Sequence, residues 1–527
     1  MSDHDVLVIG AGFSGLYQLH SLRRLGFDAH VVEAGDDVGG TWYWNRYPGA
    51  RCDIESIEYS YSFDADLEQE WNWSERYAAQ PELLSYARHV ADRFDLRKDI
   101  TFATRVQKLE WDEVGTRWRV FTNDGGARTA RHVIAATGCL SVPSRPDFAG
   151  LDDFRGELYR TSSWPHEGVD LSGKRVAVVG TGSSGLQTIT AIAPVVGELT
   201  VFQRTPCFAV PAHNGPIVER LAAAKKRYPE IRQHNRTSPD GFQCHGGAVP
   251  LLEVEPGVVQ REFDKRWEEG GLCFDRSFPD ILTDIRANEV AADYVRSQIR
   301  AKVHDQELAE KLSPRSYPIA SKRMCVDTGY YEVYNQSNVS LIDINEQPIR
   351  RFTEHGILAG ETTHEFDVIV LATGFDAMTG ALNAMEIRNG DKTLKEKWAH
   401  GPRTYLGLMS AGFPNLFTVC GPQSPSVLSN MLTSIEYHVE WITEALRRLR
   451  DQGLTRMEAV PENEDNWVNT TNDLADLTLM PRAASWYMGA NIPGKQRVFL
   501  PFVGGVGLYR QIADGVAVAH YHGFELA

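Results

Sequence analysis

Four short apolar runs divide the chain and predict buried strands. They cover residues 5–9, 133–137, 175–179 and 368–373, and a glycine follows each of them. A continuous apolar run without polar alternation is typical of a strand that is covered on both faces of a parallel sheet. Sheets of this kind belong to the α/β class.

Two of these runs are followed by helical spacing and a second strand. Leucine recurs every three residues from Leu16 to Leu25, and residues 29–33 then form another short apolar run. The run at 175–179 is followed in the same way by a helical stretch and a strand at 199–203. Strand, helix and strand in this order form a βαβ unit. We therefore predict an α/β fold with two Rossmann-like dinucleotide-binding domains.

The runs at 133–137 and 368–373 lie where the chain would pass between these two domains. We interpret the first run as leaving the first domain and the second as returning to it, so that the second domain is inserted into the first. Charge-rich helical stretches at 217–228 and 288–303 predict a further, helical insertion. The predicted boundaries are 1–142 with 385–527 for the first domain, 150–217 with 328–384 for the second, and 218–327 for the helical insertion.

The composition is that of an ordinary globular protein, and the charge excludes some partners. The 527 residues are 42% hydrophobic and 24% charged, and this length predicts two or three domains. A net charge of −16 argues against nucleic acid or an anionic membrane as the main partner. Any cations in a phosphate site must therefore be local exceptions.

Cysteine spacing and the length of apolar runs bear on the compartment. The seven cysteines are scattered without a CxxC pair, which argues against a disulfide framework, a zinc site or a dithiol redox centre. The acidic start does not fit a signal peptide, and no run reaches the roughly 18 apolar residues of a membrane helix. We predict a cytoplasmic, metal-free protein with free cysteines. We interpret it as a monomer, although the sequence leaves the oligomeric state open.

Each βαβ unit carries the glycine pattern GxGxxG between its first strand and its helix. The first copy consists of Gly10, Gly12 and Gly15, and the second of Gly180, Gly182 and Gly185. The first glycine permits the tight turn, the second leaves room for a pyrophosphate, and the third lets helix and strand pack closely. The N-terminus of the helix then offers amide donors to the phosphates. The pattern predicts two dinucleotide sites.

The end of the second strand of each unit distinguishes the two nucleotides. The first unit has Glu33 there, a carboxylate that can accept hydrogen bonds from a ribose diol. The second unit has Arg204 and Thr205, and an arginine can pair with a 2′-phosphate. We therefore predict non-covalently bound FAD in the first site and NADPH in the second. The alternative is that Arg204 is a solvated surface charge.

A further motif, here called the signature segment, covers residues 39–53. It matches the pattern (A/G)GxWxxxx(F/Y)P(G/M)xxxD at every specified position. In this motif the sequence resembles the flavin-dependent Baeyer–Villiger monooxygenases, and the resemblance covers essentially the whole chain. Other matching stretches are 330–334, 375–376 and 485–494, while those at 59–63, 70–74 and 401–407 look most like the phenylacetone and steroid monooxygenase branch.

A second motif of that family, FxGxxxHxxxW, is present with one difference. Phe154, Gly156 and Trp164 match, but Arg160 stands where the family has histidine. In the family this stretch joins the two nucleotide domains. We therefore expect Arg160 to affect domain coupling and rate rather than the type of reaction. A natural variant and a substitution are equally compatible with the sequence.

The resemblance implies an NADPH- and O2-dependent monooxygenase that acts on ketones. In the family NADPH reduces FAD, O2 adds at flavin C4a, and the resulting peroxide attacks a ketone to give an ester or a lactone. The flavin carries this chemistry, and the protein protects and orients it. The resemblance to one branch implies ketones that are bulky, aromatic or cyclic.

The resemblance also implies the catalytic residues. An anionic peroxide needs a fixed positive charge in a dry site, and similarity to the family assigns that charge to Arg323. Asp53, the last residue of the signature segment, would hold the guanidinium in place. From spacing alone, Arg323 belongs to an ordinary basic pair and Asp53 fits a structural turn.

Further residues are assigned to the cofactors and to the ketone by the resemblance. Lys322, with Arg204 and Thr205, is expected to bind the 2′-phosphate, and Trp486 to close over the nicotinamide. The other predicted cofactor contacts are Thr41, Trp42, Asp53, Tyr59, Val106, Thr181, Ser183, Ser184, Gln187, Arg323 and Met431. The predicted ketone pocket consists of Ser426, Val427, Leu428 and Met431. The apolar and aromatic members of these sets fit plain core positions equally well.

Three other functions share parts of this pattern. A flavin N- or S-monooxygenase has both glycine turns but lacks the signature segment with its terminal aspartate. A pyridine-nucleotide disulfide reductase needs a CxxC pair, which this sequence lacks. A regulatory protein that binds FAD and NADP without turnover would have the same fold.

Overall fold

The computed structural model describes residues 2–527 as a mixed α/β protein built around two large sheets. The strands, in chain order, are β1 (Ser2–Ile9), β2 (Ala29–Val32), β3 (Ile100–Thr101), β4 (Val106–Asp112), β5 (Arg117–Thr122), β6 (Ala127–Ala135), β7 (Glu157–Arg160), β8 (Arg175–Val179), β9 (Glu198–Gln203), β10 (Ala209–Pro211), β11 (Cys325–Asp327), β12 (Val339–Asp343), β13 (Ile349–Thr353), β14 (Gly356–Ala359), β15 (Thr362–Glu365), β16 (Val368–Leu371), β17 (Glu386–Asn389), β18 (Lys392–Thr393), β19 (Leu416–Thr418), β20 (Met457–Ala459) and β21 (Phe524–Leu526). The helices are α1 (Phe13–Arg24), α2 (Thr41–Trp44), α3 (Ala65–Glu70), α4 (Gln80–Arg93), α5 (Ser183–Ile192), α6 (Val218–Lys225), α7 (Tyr228–Thr237), α8 (Pro256–Glu269), α9 (Ile285–Lys302), α10 (Gln306–Leu312), α11 (Gly380–Asn383), α12 (Leu394–Lys397), α13 (Met431–Asp451), α14 (Pro461–Asp476) and α15 (Gly505–Val518).

The larger sheet has nine strands and is parallel around β1. Strands β6, β1, β2 and β3 lie side by side in one direction, and β19 pairs with β6. Strands β5 and β4 continue the sheet antiparallel to one another, and β17 and β18 complete it. Val6, Leu7 and Val8 of β1 are fully buried, because both faces of the sheet are covered there.

The smaller sheet has five strands, all parallel, in the order β12-β9-β8-β16-β7. Helix α5 joins β8 to the neighbouring β9, just as α1 joins β1 to β2 in the larger sheet. Both predicted βαβ units are therefore present. Each glycine turn lies at the carboxyl end of its strand, which is the edge where such sheets bind ligands.

The connectivity of the two sheets is nested. The smaller sheet takes its strands from residues 157–371, and the larger takes its strands from residues 2–135 and 386–418. Helices α6 to α10 lie between β10 and β11. This order supports the insertion of one nucleotide unit into the other, while the exact domain boundaries stay predictions.

The predicted helical stretches differ from the observed helices at their ends. The stretch at 217–228 is two helices, because α6 ends at Lys225 and α7 begins at Tyr228 with Pro229 in its first turn. Proline lacks the N–H that would continue the preceding helix. The stretch at 288–303 corresponds to α9, which begins one turn earlier.

Three general features of the described residues concern partners and chemistry. Within residues 2–527, no helix combines the length and the apolar character needed to cross a bilayer. The same residues contain no group of three or more His, Cys, Asp or Glu side chains placed to hold a metal ion. All seven cysteines are free thiols.

Candidate active site

The first glycine turn links β1 to α1 and leaves no room for larger residues. Gly10 has a φ of +104°, and a Cβ on it would lie 2.7 Å from the oxygen of Ala136. A Cβ on Gly15 would lie 1.8 Å from the Gly10 oxygen, so only glycine lets α1 pack against the turn. Helix α1 begins at Phe13, and the preceding Gly12 provides no side-chain cap. The first N–H groups of the helix are therefore available to a phosphate.

The second glycine turn repeats this geometry between β8 and α5. Gly180 has a φ of +110°, with a Cβ position 2.5 Å from the Ala372 oxygen, and a Cβ on Gly185 would lie 2.1 Å from the Gly180 oxygen. A Cβ on Gly182, by contrast, would meet nothing within 4 Å. This open space lies at the uncapped N-terminus of α5 and fits a pyrophosphate. The predicted contacts on this turn and helix are Thr181, Ser183, Ser184 and Gln187.

Glu33 lies directly after β2, beside the first glycine turn. One carboxylate oxygen accepts a hydrogen bond from Ala11 N at 2.6 Å, and the other accepts one from Gly35 N at 2.7 Å. Burial raises the pKa of Glu33, and these hydrogen bonds oppose the rise. Each oxygen keeps a lone pair for a ribose hydroxyl. Val106 begins β4 close by, since Thr104 N donates to the Glu33 backbone oxygen.

The signature segment starts on the first glycine turn. A Cβ on Gly40 would lie only 2.7 Å from the Cα of Gly12. Thr41 then begins α2, and the buried Trp42 donates from Nε1 to the Tyr59 hydroxyl at 3.4 Å. The structure therefore brings Thr41, Trp42 and Tyr59 together beside the first dinucleotide site.

The same segment continues to the second dinucleotide site. Gly49 packs on α5, where a Cβ would lie 2.5 Å from the Gln187 backbone oxygen. The Tyr47 hydroxyl donates to Gln187 Oε1 at 2.8 Å, and Gln187 Nε2 donates to the Arg51 oxygen at 3.1 Å. The signature segment, which ends at Asp53, thus contacts both glycine turns or their helices.

Arg323 and Asp53 form a bidentate ion pair. Nε of Arg323 donates to Asp53 Oδ2 at 2.6 Å, and Nη2 donates to Oδ1 at 2.8 Å. Nη1 donates to the Val427 oxygen at 2.7 Å, so the guanidinium is held at three points. Burial lowers the pKa of Arg323, but the charge of Asp53 outweighs this and the net pKa is raised. Arg323 is therefore a fixed positive charge.

One residue beside this pair was not predicted from the sequence. The Tyr487 hydroxyl contacts the Arg323 guanidinium, and the Tyr487 side chain is 2% exposed. Its ring centre lies 4.4 Å from that of Trp486, on a short 3-10 turn. Burial raises the pKa of Tyr487, which keeps the hydroxyl protonated. The only sequence signal was its position after Trp486 in a family motif, and spacing gives such a tyrosine no role.

The loop before α13 carries the four residues of the predicted ketone pocket. Ser426 and Val427 are buried, whereas Leu428 and Met431 are partly exposed. The Ser426 hydroxyl lies 3.8 Å from the Met431 sulfur, and Ser426 has a φ of +41°. A non-glycine residue in this region of backbone space is uncommon and marks local strain. Because the Val427 oxygen accepts from Arg323, the loop lies directly beside the ion pair.

The two cations predicted to bind the 2′-phosphate lie close together, Arg204 just after β9 and Lys322 just before β11. Arg204 is exposed, and the Lys322 amine lies 4.4 Å from the centre of the Tyr317 ring. Burial, and then the charge of Arg204, lower the pKa of Lys322. Neither cation forms a salt bridge within residues 2–527. The Thr205 oxygen accepts from Thr181 Oγ1 at 3.0 Å, which joins this place to the second glycine turn. Two cations without a counter-ion fit a dianionic phosphate.

Trp486 is partly exposed and lies in a segment that is held against the second nucleotide unit. Asn491 Nδ2 donates to the Phe375 oxygen at 2.7 Å, and the Lys495 amine pairs with Asp376. Phe375 and Asp376 follow β16 closely. The chain that follows Trp486 is thus fixed to the end of β16, and the next residue, Tyr487, contacts the ion pair.

Arg160 is the last residue of β7, opposite Leu371 of β16. Its Nε is buried and has no hydrogen-bond partner among the described residues. The position lies at the carboxyl edge of the smaller sheet, the edge where dinucleotides bind. Its expected effect on domain coupling stays a prediction.

Comparison with known proteins gives the family. A family model described as pyridine nucleotide-disulphide oxidoreductase matches residues 7–218. The chain is 41% identical over 526 residues to a Baeyer-Villiger monooxygenase of Pseudooceanicola batsensis, covering 99% of this chain and 96% of that protein. It is 40% identical over 528 residues to a phenazine N-monooxygenase of Lysobacter antibioticus, covering 99% and 97%. A solved structure of oxidized steroid monooxygenase bound to NADP matches with a TM-score of 0.95 and 48% identity, covering 100% and 99%.

These full-length similarities decide the main predictions. They confirm the α/β fold with two dinucleotide-binding units, and FAD and NADP as the cofactors. They also confirm an oxidoreductase that depends on FAD and NADPH, in place of a disulfide reductase or a regulatory protein without turnover. The chain belongs to the flavin-dependent Baeyer–Villiger monooxygenase family.

Proposed function

We propose that this protein oxidises bulky, aromatic or cyclic ketones to esters or lactones, with NADPH and O2 as co-substrates. The observation that carries the proposal is the Arg323–Asp53 pair, which lies at the meeting point of the two dinucleotide units and beside a partly apolar loop. Bound FAD would supply the activation of O2, which no side chain performs. The side chains bind the two cofactors, orient the ketone and stabilise the charge that develops on it.

Arg323 is proposed to stabilise negative charge that develops on the carbonyl oxygen of the ketone. Its planar guanidinium stays protonated when partly buried. Asp53 and Val427 occupy three of its five N–H donors and the Tyr487 hydroxyl contacts the guanidinium as well, which leaves at least one donor for the reactants. Because the cation is already held in place, no reorganisation is needed when the charge develops. Asp53 is proposed to act by holding Arg323.

The first glycine turn and Glu33 are proposed to hold FAD without a covalent bond. Gly10 and Gly15 form the tight turn, and the uncapped start of α1 offers amide donors to the pyrophosphate. The buried Glu33 carboxylate has lone pairs left for the ribose. Thr41, Trp42, Tyr59 and Val106 surround the same site.

The second glycine turn, with Arg204, Thr205 and Lys322, is proposed to hold NADPH. The open space at Gly182 accommodates the pyrophosphate. Arg204 and Lys322 are unneutralised within the described residues and would pair with the 2′-phosphate. Trp486 is proposed to cover the nicotinamide side; the support is that its neighbour Tyr487 contacts Arg323 and that Asn491 of the same segment bonds to Phe375 after β16.

The loop before α13 is proposed to line the ketone site. Leu428 and Met431 present partly exposed apolar surface, and Val427 contacts Arg323 through its oxygen. An apolar wall beside a single fixed cation suits a ketone, whose one polar atom is its carbonyl oxygen. Met431, which begins α13, is also proposed to contact a cofactor.

The similarity to the phenazine N-monooxygenase suggests a second candidate function, the oxidation of a ring nitrogen. A neutral ring nitrogen that gains oxygen develops no carbonyl oxyanion, so the Arg323 site favours the ketone reaction. The test is to supply the holoenzyme with NADPH, O2 and either a panel of ketones or a panel of nitrogen heteroaromatics. We expect esters, identified by their hydrolysis to an acid and an alcohol. N-oxides as the main products, with no ester from any ketone, would contradict the proposal.

The domain division, the compartment and the assembly state remain proposals from the sequence. The nested order of the sheets supports residues 1–142 with 385–527 and residues 150–217 with 328–384 as the two nucleotide domains. Helices α6 to α10 support the helical insertion at 218–327. Cytoplasmic location, a monomeric state and the expectation of no nucleic-acid or membrane partner rest on composition and charge.

A further inference from the structure

Asn430, which directly precedes α13, joins three separate parts of the chain. It is fully buried, and its Oδ1 accepts a hydrogen bond from Leu432 N at 3.1 Å as the N-cap of the helix. Its Nδ2 donates to the Glu58 backbone oxygen at 2.9 Å, and its backbone N donates to the Asp240 oxygen at 2.8 Å. Both polar atoms of the side chain therefore have a partner, and only one of them serves the cap.

The segments that meet at this residue are also bonded to one another. The Glu58 carboxyl group accepts from Gln243 N at 2.7 Å. Thr433, on the first turn of α13, donates from Oγ1 to the Gly241 oxygen at 2.8 Å. The loop between α7 and α8 thus lies against the start of α13. We call this hydrogen-bonded unit the three-way junction; it consists of Glu58, residues 240–243 and Asn430.

The three-way junction relates the loop before α13 to the Asp53–Arg323 pair. Glu58 comes five residues after Asp53 in the same stretch of chain, and Asn430 comes three residues after Val427, whose oxygen accepts from Arg323. The loop is therefore tied to the ion pair twice, once by the guanidinium itself and once through the Glu58 backbone. Two ties at the ends of a short segment fix how the side chains between them face the cation.

A cavity next to the three-way junction makes these hydrogen bonds important. Its volume is about 30 Å³, and its lining includes Asp53, Glu58, Phe242 and Gln243. Because a cavity lies between the junction and Asp53, close packing alone does not fix their separation. The hydrogen bonds of Asn430 and of the Glu58 carboxyl group are then the contacts that hold the loop at one distance from the ion pair.

We propose that Asn430 is a positioning residue that sets the orientation of the ketone at Arg323, supported by the loop between α7 and α8. The inference rests on the proposed function of this site. An unsymmetrical ketone can give two esters, because oxygen can enter on either side of the carbonyl carbon. Which ester forms depends on how the wall beside Arg323 holds the two substituents, and a displacement on the order of 1 Å alters the rate of either outcome.

The variant Asn430→Ser separates this role from the capping of α13. Serine is as good an N-cap as asparagine, so the helix keeps its cap. Its hydroxyl lies one bond closer to the backbone than Nδ2 and does not reach the Glu58 oxygen. Asn415→Ser is the matched control, because Asn415 is also fully buried and its Nδ2 donates to backbone oxygens on β6 and just before β20, at 3.0 and 2.8 Å.

The experiment supplies the holoenzyme with NADPH, O2 and one unsymmetrical ketone, and measures the two esters and the Michaelis constant for the ketone. We expect Asn430→Ser to change the ester ratio by about three- to tenfold and to raise the Michaelis constant by a similar factor, which is the size of one lost hydrogen bond. Its FAD content should equal that of the parent. Asn415→Ser should lose at least as much free energy of unfolding and keep the parent ester ratio.

Glu58 gives a second test of the three-way junction, which decides the question if Asn430→Ser does not fold. Burial raises the pKa of Glu58 to about 7, so a neutral side chain suits this position. Glu58→Gln keeps an acceptor for Gln243 N, whereas Glu58→Leu removes it. We expect Glu58→Gln to keep the parent ester ratio and Glu58→Leu to change it in the same direction as Asn430→Ser.

Two results would overturn the inference. One is a parent-like ester ratio and Michaelis constant in Asn430→Ser, or in Glu58→Leu where that variant is used. The other is an equal change of the ester ratio in Asn415→Ser, because loss of stability anywhere in the protein would then be the cause. Neither result contradicts the proposed function, which fails only if the parent itself forms no ester from any ketone.

Discussion

Asp53 and Arg323 lie 270 residues apart in the chain, yet two hydrogen bonds of 2.6 and 2.8 Å join their side chains. Asp53 ends a segment that packs on the first glycine turn and on α5, and Arg323 comes just before β11. The pair therefore forms only while the signature segment and the chain just before β11 keep one relative position. A displacement on the order of 1 Å would spoil its bidentate geometry and, with it, the placement of the proposed catalytic cation.

Arg323→Ala is expected to keep FAD and to lose ester formation. The proposed flavin contacts lie elsewhere, but the carbonyl oxygen would lose its fixed cation, and one such donor is worth about 10²–10³ in rate. Arg323→Lys should recover little, because an ammonium lacks the planar fork that Asp53 holds. The measurement is ester formed and hydrogen peroxide released per NADPH consumed. Ester formation by Arg323→Ala at near the parent rate would remove Arg323 from the mechanism.

Arg204→Ala is expected to impair NADPH use far more than NADH use. Only NADPH carries the 2′-phosphate, and a charged hydrogen bond contributes about 10- to 150-fold in affinity. The Michaelis constants for the two nucleotides, measured side by side, give the ratio. Arg315→Ala is a matched control, since that arginine pairs with Glu310 on the surface. Equal effects on both nucleotides would show that Arg204 is only a solvated charge.

Tyr487→Phe is expected to lower the fraction of NADPH that yields ester, by about three- to tenfold, which is the size of one hydrogen bond. The ring is kept, but its hydroxyl no longer contacts Arg323, so the Trp486 turn and the cation are no longer joined. The readout is ester against hydrogen peroxide at full FAD content. Tyr334→Phe removes a buried hydroxyl that bonds only to another tyrosine, and it should leave this fraction unchanged.

Gly40→Ala is expected to lower the FAD content of the purified protein. A Cβ there would lie 2.7 Å from the Cα of Gly12, so the first glycine turn must shift. Gly26→Ala is the control, because Gly26 also has a positive φ but its Cβ would meet nothing within 4 Å. Both variants carry a backbone cost for a positive φ, and only Gly40→Ala adds the clash. Equal flavin absorbance per chain in the two variants would refute this account of the signature segment.

Glu58 is expected to make stability fall as the pH rises. Burial raises the pKa of this 6% exposed carboxyl from 4.5 to about 7, with Glu55 adding to the rise and Gln243 N–H and Arg232 opposing it. Between these values the folded state keeps a proton that the unfolded state releases. The stabilisation is therefore complete below pH 4.5 and is lost as the pH passes about 7.

The measurement for Glu58 is the free energy of unfolding against pH. From about pH 5 to 8 the parent should lose roughly 2–3 kcal/mol more than Glu58→Gln, whose amide does not titrate. Denaturant unfolding of the FAD-loaded proteins at several pH values gives both curves. Parallel curves would mean that Glu58 ionises in the folded state as readily as in the unfolded one.

Much of the fold was determined by local sequence. Apolar runs before Gly10 and Gly180 predicted β1 and β8, because a strand buried on both faces has no polar alternation. The two glycine turns were also determined by local sequence, since a positive φ and a close backbone contact leave glycine as the only residue that fits at Gly10 and Gly180. The two units carry opposite charges at corresponding places, and this predicted FAD beside the carboxylate of Glu33 and NADPH beside the cation of Arg204. Prediction and structure differ at Pro229. The helical spacing predicted one helix over 217–228, but a second helix with this proline in its first turn begins at Tyr228.

The arrangement of the site was decided by tertiary structure. No spacing relates Asp53 to Arg323, and no motif relates Tyr487 to either of them; all three meet because α5, the signature segment and the loop before α13 pack at one place. Local sequence determines which backbone conformations a segment can adopt. Contacts between segments hundreds of residues apart depend on how whole sheets and helices bury their apolar faces, and that is a property of the packed chain.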